Sequence, residues 1–212
     1  MLFIFDWDGT LMDSADRIVA VMQRAAEDRE LLPLTDASIR NIIGLGLPEA
    51  LKMLFPELPP AELELLQAAY SRRFVEADEV PCRLFPGVLE TLEQLRSDGN
   101  RLAVATGKSR RGLSRVLAGL GMGDYFDATR CADETRSKPH PLMLNQLLSE
   151  LAVPAERAVM VGDTEYDLAM AVNAGMACVA VDYGAHAVGR LLPYKPGLVL
   201  SHFPELLQWR WQ

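Results

Sequence analysis

The chain has 212 residues, a mass of 23.4 kDa and a formal net charge of −8, and this acidic balance argues against nucleic acid and anionic membranes as partners. Three cysteines, an odd number without a CxxC pair, argue against a disulfide framework and a zinc site and favour free thiols in a reducing compartment. No apolar segment has the length of a membrane span or a signal peptide, so we expect a soluble, cytoplasmic protein.

The first predicted element is a short strand over residues 2–5, which are all apolar and suit a strand buried on both faces of a parallel sheet. It is followed by the run Asp6-Trp7-Asp8-Gly9-Thr10. Two buried carboxylates this close repel each other and lose hydration, so they persist only near a cation or with shifted pKa values. The alternative is a polar turn with Asp8 and Gly9 as its central pair.

Residues 14–84 are predicted to form a helical insertion, because apolar residues recur there at helical spacing and no convincing strand interrupts them. We expect four helices, which begin after Asp13-Ser14, after Thr35-Asp36, at Pro48, and at Ala61, the last one running to Asp78. The run Gly44-Leu45-Gly46 fits either a loop whose amides reach a substrate or a tight turn between helices.

From residue 85 onward, predicted strands and helices alternate. The strands are expected at 102–105, 126–130, 158–161, 177–181 and, at the sheet edge, 198–200; the helices at 88–97, 113–120, 139–151, 168–173 and 203–209. This alternation is typical of a parallel sheet with helices on both faces and right-handed crossovers. The predicted fold class is therefore α/β, with a Rossmann-like core domain (1–13 and 85–212) and an inserted all-helical cap domain (14–84).

Four acidic residues are expected at the carboxyl ends of the strands, where such sheets bind ligands: Asp6, Asp8, Asp163 and Asp167. Asp163 follows a strand, and Asp167 lies one helical turn further on. Hard oxygen ligands without His or Cys nearby suit Mg²⁺, which takes a few carboxylates together with water and phosphate oxygens. Taken singly, Asp163 could instead cap a helix, and Asp167 could be a solvated acid of the first helical turn.

Thr106, Gly107 and Lys138 are predicted to bind phosphate at the same edge. Thr106 and Gly107 lie between a strand and a helix, where free N–H groups favour an anion, although Thr106 could equally cap that helix. Lys138 is one of only four lysines and precedes Pro139, which is expected to start a helix and to aim the ammonium at the edge. Carboxylates, a cation, a threonine and a lysine around one point are the components of phosphoryl transfer.

In this order the residues resemble the four motifs of the haloacid dehalogenase-like phosphatases: Asp6-x-Asp8-Gly9-Thr10, a strand-end Thr106, Lys138, and Gly162-Asp163-Thr164-x-x-Asp167. The resemblance covers the whole chain. The helical insertion after the first motif and the run Pro86-Gly87-Val88 are similar to the subgroup that contains phosphoglycolate phosphatase. The resemblance implies a Mg²⁺-dependent phosphatase that acts on a small phosphorylated metabolite, either a phosphoglycolate-like ester or a sugar phosphate.

The resemblance also implies a role for each motif residue. Asp6 would be the nucleophile that forms an aspartyl-phosphate, and Asp8 the general acid and then the general base. The implied ligands of Mg²⁺ are Asp6, Asp8 through its backbone carbonyl, and Asp163, with support from Asp167; the implied phosphate-binding residues are Thr106, Gly107 and Lys138. In this family an Asp at the position of Asp8 favours phosphate esters over dehalogenation or phosphonate cleavage.

Two other functions remain open at this point. A phosphomutase similar to beta-phosphoglucomutase would share Asp6 and Asp8 but return the phosphoryl group to the substrate. A non-catalytic phospho-aspartate switch also uses Asp, Thr and Lys on such a sheet, but the cap and Asp8 argue against it, because a switch should not accelerate its own hydrolysis. We expect a monomer or a weak homodimer.

Overall fold

The structure, a computed structural model, describes residues 1–77 and 82–210. In that part of the chain the strands are β1 (Leu2–Phe5), β2 (Met12–Asp13), β3 (Arg83–Leu84), β4 (Arg101–Thr106), β5 (Ala128–Cys131), β6 (Ala158–Gly162), β7 (Ala177–Val181) and β8 (Val199–Leu200). The α-helices are α1 (Ala15–Glu27), α2 (Asp36–Arg40), α3 (Leu47–Leu54), α4 (Pro60–Ala77), α5 (Val88–Ser97), α6 (Arg110–Gly119), α7 (Leu142–Glu150), α8 (Glu165–Asn173) and α9 (Val188–Leu191).

Six strands form one parallel sheet in the order β5-β4-β1-β6-β7-β8, with β1 paired to both β4 and β6. Successive side chains of β1 point to opposite faces, as the pleat requires. Phe3 and Phe5 join the apolar cluster on one face, and Leu2 and Ile4 join the cluster on the other. The sheet is therefore covered on both faces, and the predicted α/β fold is confirmed.

Helices α1 to α4 build a separate apolar cluster of their own, which explains why these segments are amphipathic. Each contributes buried residues to this cluster, among them Met22, Ile39, Leu51 and Leu66. None of the helices in the described residues is long and apolar enough to cross a membrane. The predicted end of the fourth helix at Asp78 lies outside the described residues, and the division into two domains stays a prediction.

The insertion is not purely helical, because β2 and β3 form a two-stranded antiparallel ribbon where the chain leaves and re-enters the core. Met12 pairs with Leu84, and Asp13 pairs with Arg83. The two connections run side by side, so their backbone groups satisfy each other. Two-residue strands carry no readable sequence period, and the analysis of the sequence missed them.

The starts of α6 and α7 each differ by three residues from the predicted ones. α6 begins at Arg110 because the Ser109 side chain accepts a hydrogen bond from the Gly112 amide and caps the helix. α7 begins at Leu142, whereas the prediction was Pro139. Pro141 sterically disfavours the helical conformation of the residue before it, His140, so the chain makes a turn there, in which the His140 amide donates to the Ser137 carbonyl.

The segment at the carboxyl-terminal end also differs from the prediction, which was a helix over 203–209. Phe203–Gln208 is a 3-10 helix, with Pro204 in its first turn. Phe203 and Leu206 are buried against the sheet cluster that contains Phe5. Burial of these two side chains, rather than helix propensity, accounts for the position of this segment.

Candidate active site

Polar residues lie at the carboxyl ends of three neighbouring strands, at one edge of the sheet. Asp6 follows β1, Thr106 is the last residue of β4, and Asp163 follows β6. Because β1 lies between β4 and β6 and all three run parallel, their carboxyl ends meet at this edge. The arrangement matches the one expected from the alternating pattern of the sequence.

Lys138 lies between two of the acidic residues. Its Nζ is 2.6 Å from Oδ1 of Asp6 and 2.7 Å from Oδ1 of Asp167, and all three side chains are almost completely buried. Lys138 is therefore at the predicted site, but it lies in a turn and not, as the sequence had indicated, at the start of a helix. The turn brings the ammonium into the centre of the acidic cluster.

The acidic cluster has the composition of a divalent metal site. One carboxylate oxygen from each of Asp6, Asp163 and Asp167 lies within 4.8 Å of the others. Oδ2 of Asp6 is buried and has no hydrogen-bond partner among the described residues. Three buried carboxylates and one ammonium leave an excess of two negative charges, which a divalent cation would balance. Since all the donors are carboxylate oxygens, the residues fit Mg²⁺.

The pKa values of the cluster reflect this crowding. Burial raises the pKa of Asp6 well above its usual range; the Lys138 ammonium opposes the shift, and Asp167 and Asp163 add to it. Burial likewise raises the pKa of Asp163 to about 7, with Asp167 adding to the effect. Burial alone would lower the pKa of Lys138, but the carboxylates of Asp167 and Asp6 outweigh it and raise that pKa, so the lysine stays charged. The site therefore holds more negative than positive charge, and Asp6 and Asp163 bind protons more tightly than a solvent-exposed aspartate does.

Asp163 is oriented by residues that are distant in sequence. The Thr10 hydroxyl donates to its Oδ1 and the Ala185 amide to its Oδ2, both at 2.7 Å. Gly9 has a φ of +85°, and a Cβ on it would lie 2.2 Å from Oδ2 of Asp163, so this position in the first motif requires glycine. Asp163 does not cap α8, because that role belongs to Thr164.

Asp167 performs two tasks with its two oxygens. Oδ2 accepts hydrogen bonds from the amide and the hydroxyl of Thr164, at 3.0 and 2.6 Å, and so completes a capping box at the start of α8. Oδ1 contacts Lys138. The side chain is fully buried, which contradicts the alternative of a solvated acid in the first turn.

Asp8 faces a different set of partners. The Ser14 hydroxyl donates to its Oδ1 at 2.6 Å, and the Lys108 Nζ lies 3.0 Å from the same oxygen. Lys108 also lies over the ring of Phe74 in α4, 4.8 Å from its centroid. The sequence analysis did not select Ser14 or Lys108 as site residues. The available signal for Lys108 was its position two residues after the end of β4.

Thr106 and Gly107 occupy the turn between β4 and α6. Thr106 is fully buried, and its hydroxyl accepts a hydrogen bond from the Lys108 amide at 3.2 Å, so it does not cap α6. Gly107 lies against the insertion, because a Cβ on it would be 2.4 Å from the carbonyl oxygen of Leu45. The Gly46 amide donates to the Ser137 hydroxyl at 2.8 Å. The loop at 44–46 is therefore a contact between insertion and core as well as a turn.

A cavity of about 460 Å³ opens between the sheet edge and the helical insertion. Asp6 and Asp8 lie in its wall, together with Gly107 and Lys108 from the turn after β4. The opposite wall comes from the insertion, chiefly α1, α4 and residues 42–50. A substrate in this cavity would have its reacting group beside Asp6 and the rest of its body against the insertion.

Comparison with known proteins gives the family. The sequence profile of the haloacid dehalogenase-like hydrolases matches residues 3–181. The chain belongs to this family. A Dickeya dadantii protein called probable phosphatase IndB is 38% identical over 97% of this chain and 91% of its own length. The phosphoglycolate phosphatase of Pectobacterium atrosepticum is 31% identical over 96% and 89%, respectively.

A solved structure shows the same fold as this hydrolase. It is that of a predicted phosphoglycolate phosphatase from Haemophilus somnus, with a TM-score of 0.88, 26% identity, and coverage of 98% of this chain and 96% of the other. The protein described here is thus a phosphatase of the phosphoglycolate phosphatase-like subgroup, a phosphoric monoester hydrolase.

The raised pKa of Asp163 predicts a pH-dependent stability of the metal-free hydrolase. A carboxyl group with a raised pKa in the folded state binds a proton more tightly there than in the unfolded chain, so its contribution to stability is lost as pH rises from about 4 to about 7. Asn at this position cannot titrate. In EDTA, the melting temperature of Asp163→Asn should therefore rise relative to the original protein across this interval; a constant difference would contradict the prediction.

Proposed function

We propose that this hydrolase cleaves a small phosphate monoester with Mg²⁺, through an aspartyl-phosphate intermediate on Asp6. The observation that carries the proposal is the buried cluster in which Lys138 lies between Asp6 and Asp167, with Asp163 beside them. The substrates predicted from the sequence are phosphoglycolate-like esters and sugar phosphates. Relatives named phosphoglycolate phosphatase support a small phosphate ester.

The carboxylates of Asp6 and Asp163 and the backbone carbonyl of Asp8 would hold Mg²⁺, which when bound supplies positive charge next to the phosphoryl oxygens. Lys138 supplies a second positive charge from within the protein. In this proposal Thr106 and Gly107 bind the remaining phosphoryl oxygens, and Asp167 keeps Lys138 charged and in place.

In the first half of the reaction, an oxygen of Asp6 attacks phosphorus and the bond from phosphorus to the alcohol oxygen breaks. Asp8, which lies in the same cavity wall, gives its proton to the departing alcohol oxygen. The products of this half are the free alcohol and the phosphorylated Asp6.

In the second half, Asp8 is a carboxylate and takes a proton from water while the water oxygen attacks phosphorus. The bond from phosphorus to Asp6 then breaks, which frees phosphate and restores both carboxyl groups. The Ser14 hydroxyl and the Lys108 ammonium both contact Oδ1 of Asp8 and so hold this carboxyl group in place in the cavity wall.

Removal of metal is expected to abolish phosphate release from p-nitrophenyl phosphate, because the carboxylate cluster then has no divalent cation to offset its charge. Addition of Mg²⁺ after EDTA treatment should restore the rate. Asp163→Asn should need more Mg²⁺ for half-maximal rate, whereas Asp124→Asn, a change at an exposed turn of the core, should behave like the original protein. Full activity in excess EDTA would contradict the assignment of the cluster.

The same assay distinguishes the hydrolase from a mutase and from a switch. A phosphatase releases inorganic phosphate without any sugar bisphosphate. A mutase would instead return the phosphoryl group to a sugar phosphate at another position. A phospho-Asp6 that persists for minutes without turnover would indicate a switch.

The proposal includes the partners and location predicted from the sequence: a small phosphorylated metabolite, no nucleic acid and no membrane, a monomer or weak homodimer, and the cytoplasm. Sedimentation at several protein concentrations measures the oligomeric state. Fractionation of cells measures the location.

A further inference from the structure

We propose that the alcohol part of the substrate is an apolar body, alkyl or aryl, which binds in the cavity between the sheet edge and helices α1 and α4. This inference rests on the proposed function, since it names the class of ester that the same site cleaves. It differs from the expectation of phosphoglycolate or a sugar phosphate, both of which carry polar groups throughout the alcohol part.

The cavity is large enough for such an apolar body. Its volume of about 460 Å³ corresponds to roughly 15 water molecules at about 30 Å³ each. Cavities of about 300–1,000 Å³ are typical of sites for ligands much larger than a two-carbon acid. Phosphoglycolate would leave most of this space to water, whereas an ester with a body of six or more carbons would fill it.

The wall that the insertion contributes to the cavity is mainly apolar. Apolar side chains from α1, α4 and the segment 42–50 line the cavity, and they include Met22, Ile43, Leu45, Tyr70, Phe74 and Val75. Val75 lines the cavity and is 46% exposed, so its side chain is accessible to a bound substrate. The insertion also adds the polar side chains of Glu49, Gln67 and Ser71 to the wall, but most of its lining side chains are apolar, and a hydrocarbon body would remove these from water.

Charged side chains of both signs line the cavity. Its cationic residues are Arg72, Lys108, Arg111 and Arg115, and its acidic residues are Asp6, Asp8, Glu49 and Asp133. Lys108 is paired with Asp8, and Arg72 lies 3.9 Å from Asp28 outside the cavity. Lys108 and Arg72 therefore each have an acidic partner already, which reduces their attraction for a carboxylate on the substrate.

The test is a series of phosphate monoesters with increasing apolar length. We would measure kcat/KM with Mg²⁺ for ethyl, butyl and hexyl phosphate, and for phosphoglycolate, which has the same carbon count as ethyl phosphate. The primary alcohols leave with similar ease, so differences report on binding of the body. Each buried methylene can contribute up to about fourfold, and we expect at least about a tenfold increase from ethyl to hexyl phosphate.

Two variants of α4 connect the effect to the cavity. Val75→Ser makes the wall more polar and should reduce kcat/KM for hexyl phosphate by about fivefold. Leu65→Ser is the matched control, because Leu65 is on the same helix and 48% exposed but does not line the cavity. We expect Leu65→Ser to give the same dependence on chain length as the original protein.

A rise with chain length that Val75→Ser weakens and Leu65→Ser does not would support the inference. A flat series, or phosphoglycolate as the best ester, would overturn it and leave the proposed phosphatase function intact. If none of the esters, including p-nitrophenyl phosphate, released phosphate, the proposed function itself would fail.

Discussion

Asp6→Asn is expected to lower phosphate release by at least about 10⁴-fold, because an amide is uncharged and cannot form the acyl phosphate. The fold should survive. Asn has the shape of Asp, and the change removes a buried carboxylate whose pKa is raised by burial and by the nearby Asp167 and Asp163. We therefore expect an unchanged or higher melting temperature together with the loss of activity.

The measurement pairs steady-state phosphate release with thermal unfolding. Asp124→Asn makes the same chemical change at an exposed turn of the core and should leave both quantities unchanged. Turnover by Asp6→Asn within tenfold of the original rate would refute the assignment of the nucleophile. Loss of both activity and fold would assign Asp6 a structural role instead.

Lys138→Met is expected to abolish activity and also to destabilise the fold. Without the ammonium, the carboxylates of Asp6 and Asp167 stay buried with no protein cation between them. Removing one partner of a buried ion pair typically lowers the free energy of unfolding by about 3–5 kcal/mol. Bound Mg²⁺ supplies part of the missing charge, so the loss should be smaller with Mg²⁺ than with EDTA.

Urea unfolding of Lys138→Met in both conditions measures this difference. Lys52→Met is a matched control, since Lys52 is exposed in α3 and outside the cavity wall. A double variant, Lys138→Met with Asp167→Asn, should recover stability relative to Lys138→Met alone, because it removes one of the unpaired charges. Unaltered stability of Lys138→Met in EDTA would show that the buried pairs do not hold the site together.

The two variants distinguish the residue that reacts with the substrate from the residue that stabilises the folded site. Asp6→Asn removes the attacking group but eases the repulsion among the carboxylates. Lys138→Met removes the positive charge that offsets the repulsion between the carboxylates. Asp167 links the two effects, because it pairs with Lys138 and also caps α8 through Thr164.

The buried strands could be predicted from the sequence because a strand covered on both faces is an uninterrupted apolar run. β1 and β7 have the predicted bounds, and β6 extends one residue beyond them to Gly162. The start of α7 could not be predicted in this way. Its position depends on the steric effect of Pro141 on His140 and on a turn that the Ser137 carbonyl holds, whereas proline alone is a favourable first residue of a helix.

The convergence of Asp6, Thr106 and Asp163 was determined by the sequence, because each lies where an apolar strand ends and parallel strands end at one edge. The partners of these residues were decided by the tertiary structure alone. Thr10 reaches Asp163 across 153 residues, and Lys108 turns to Asp8 and Phe74. The direction of a side chain depends on the space and the charges around it in the folded protein. The residues that create them are distant in the sequence, so the local hydrophobic pattern does not predict them.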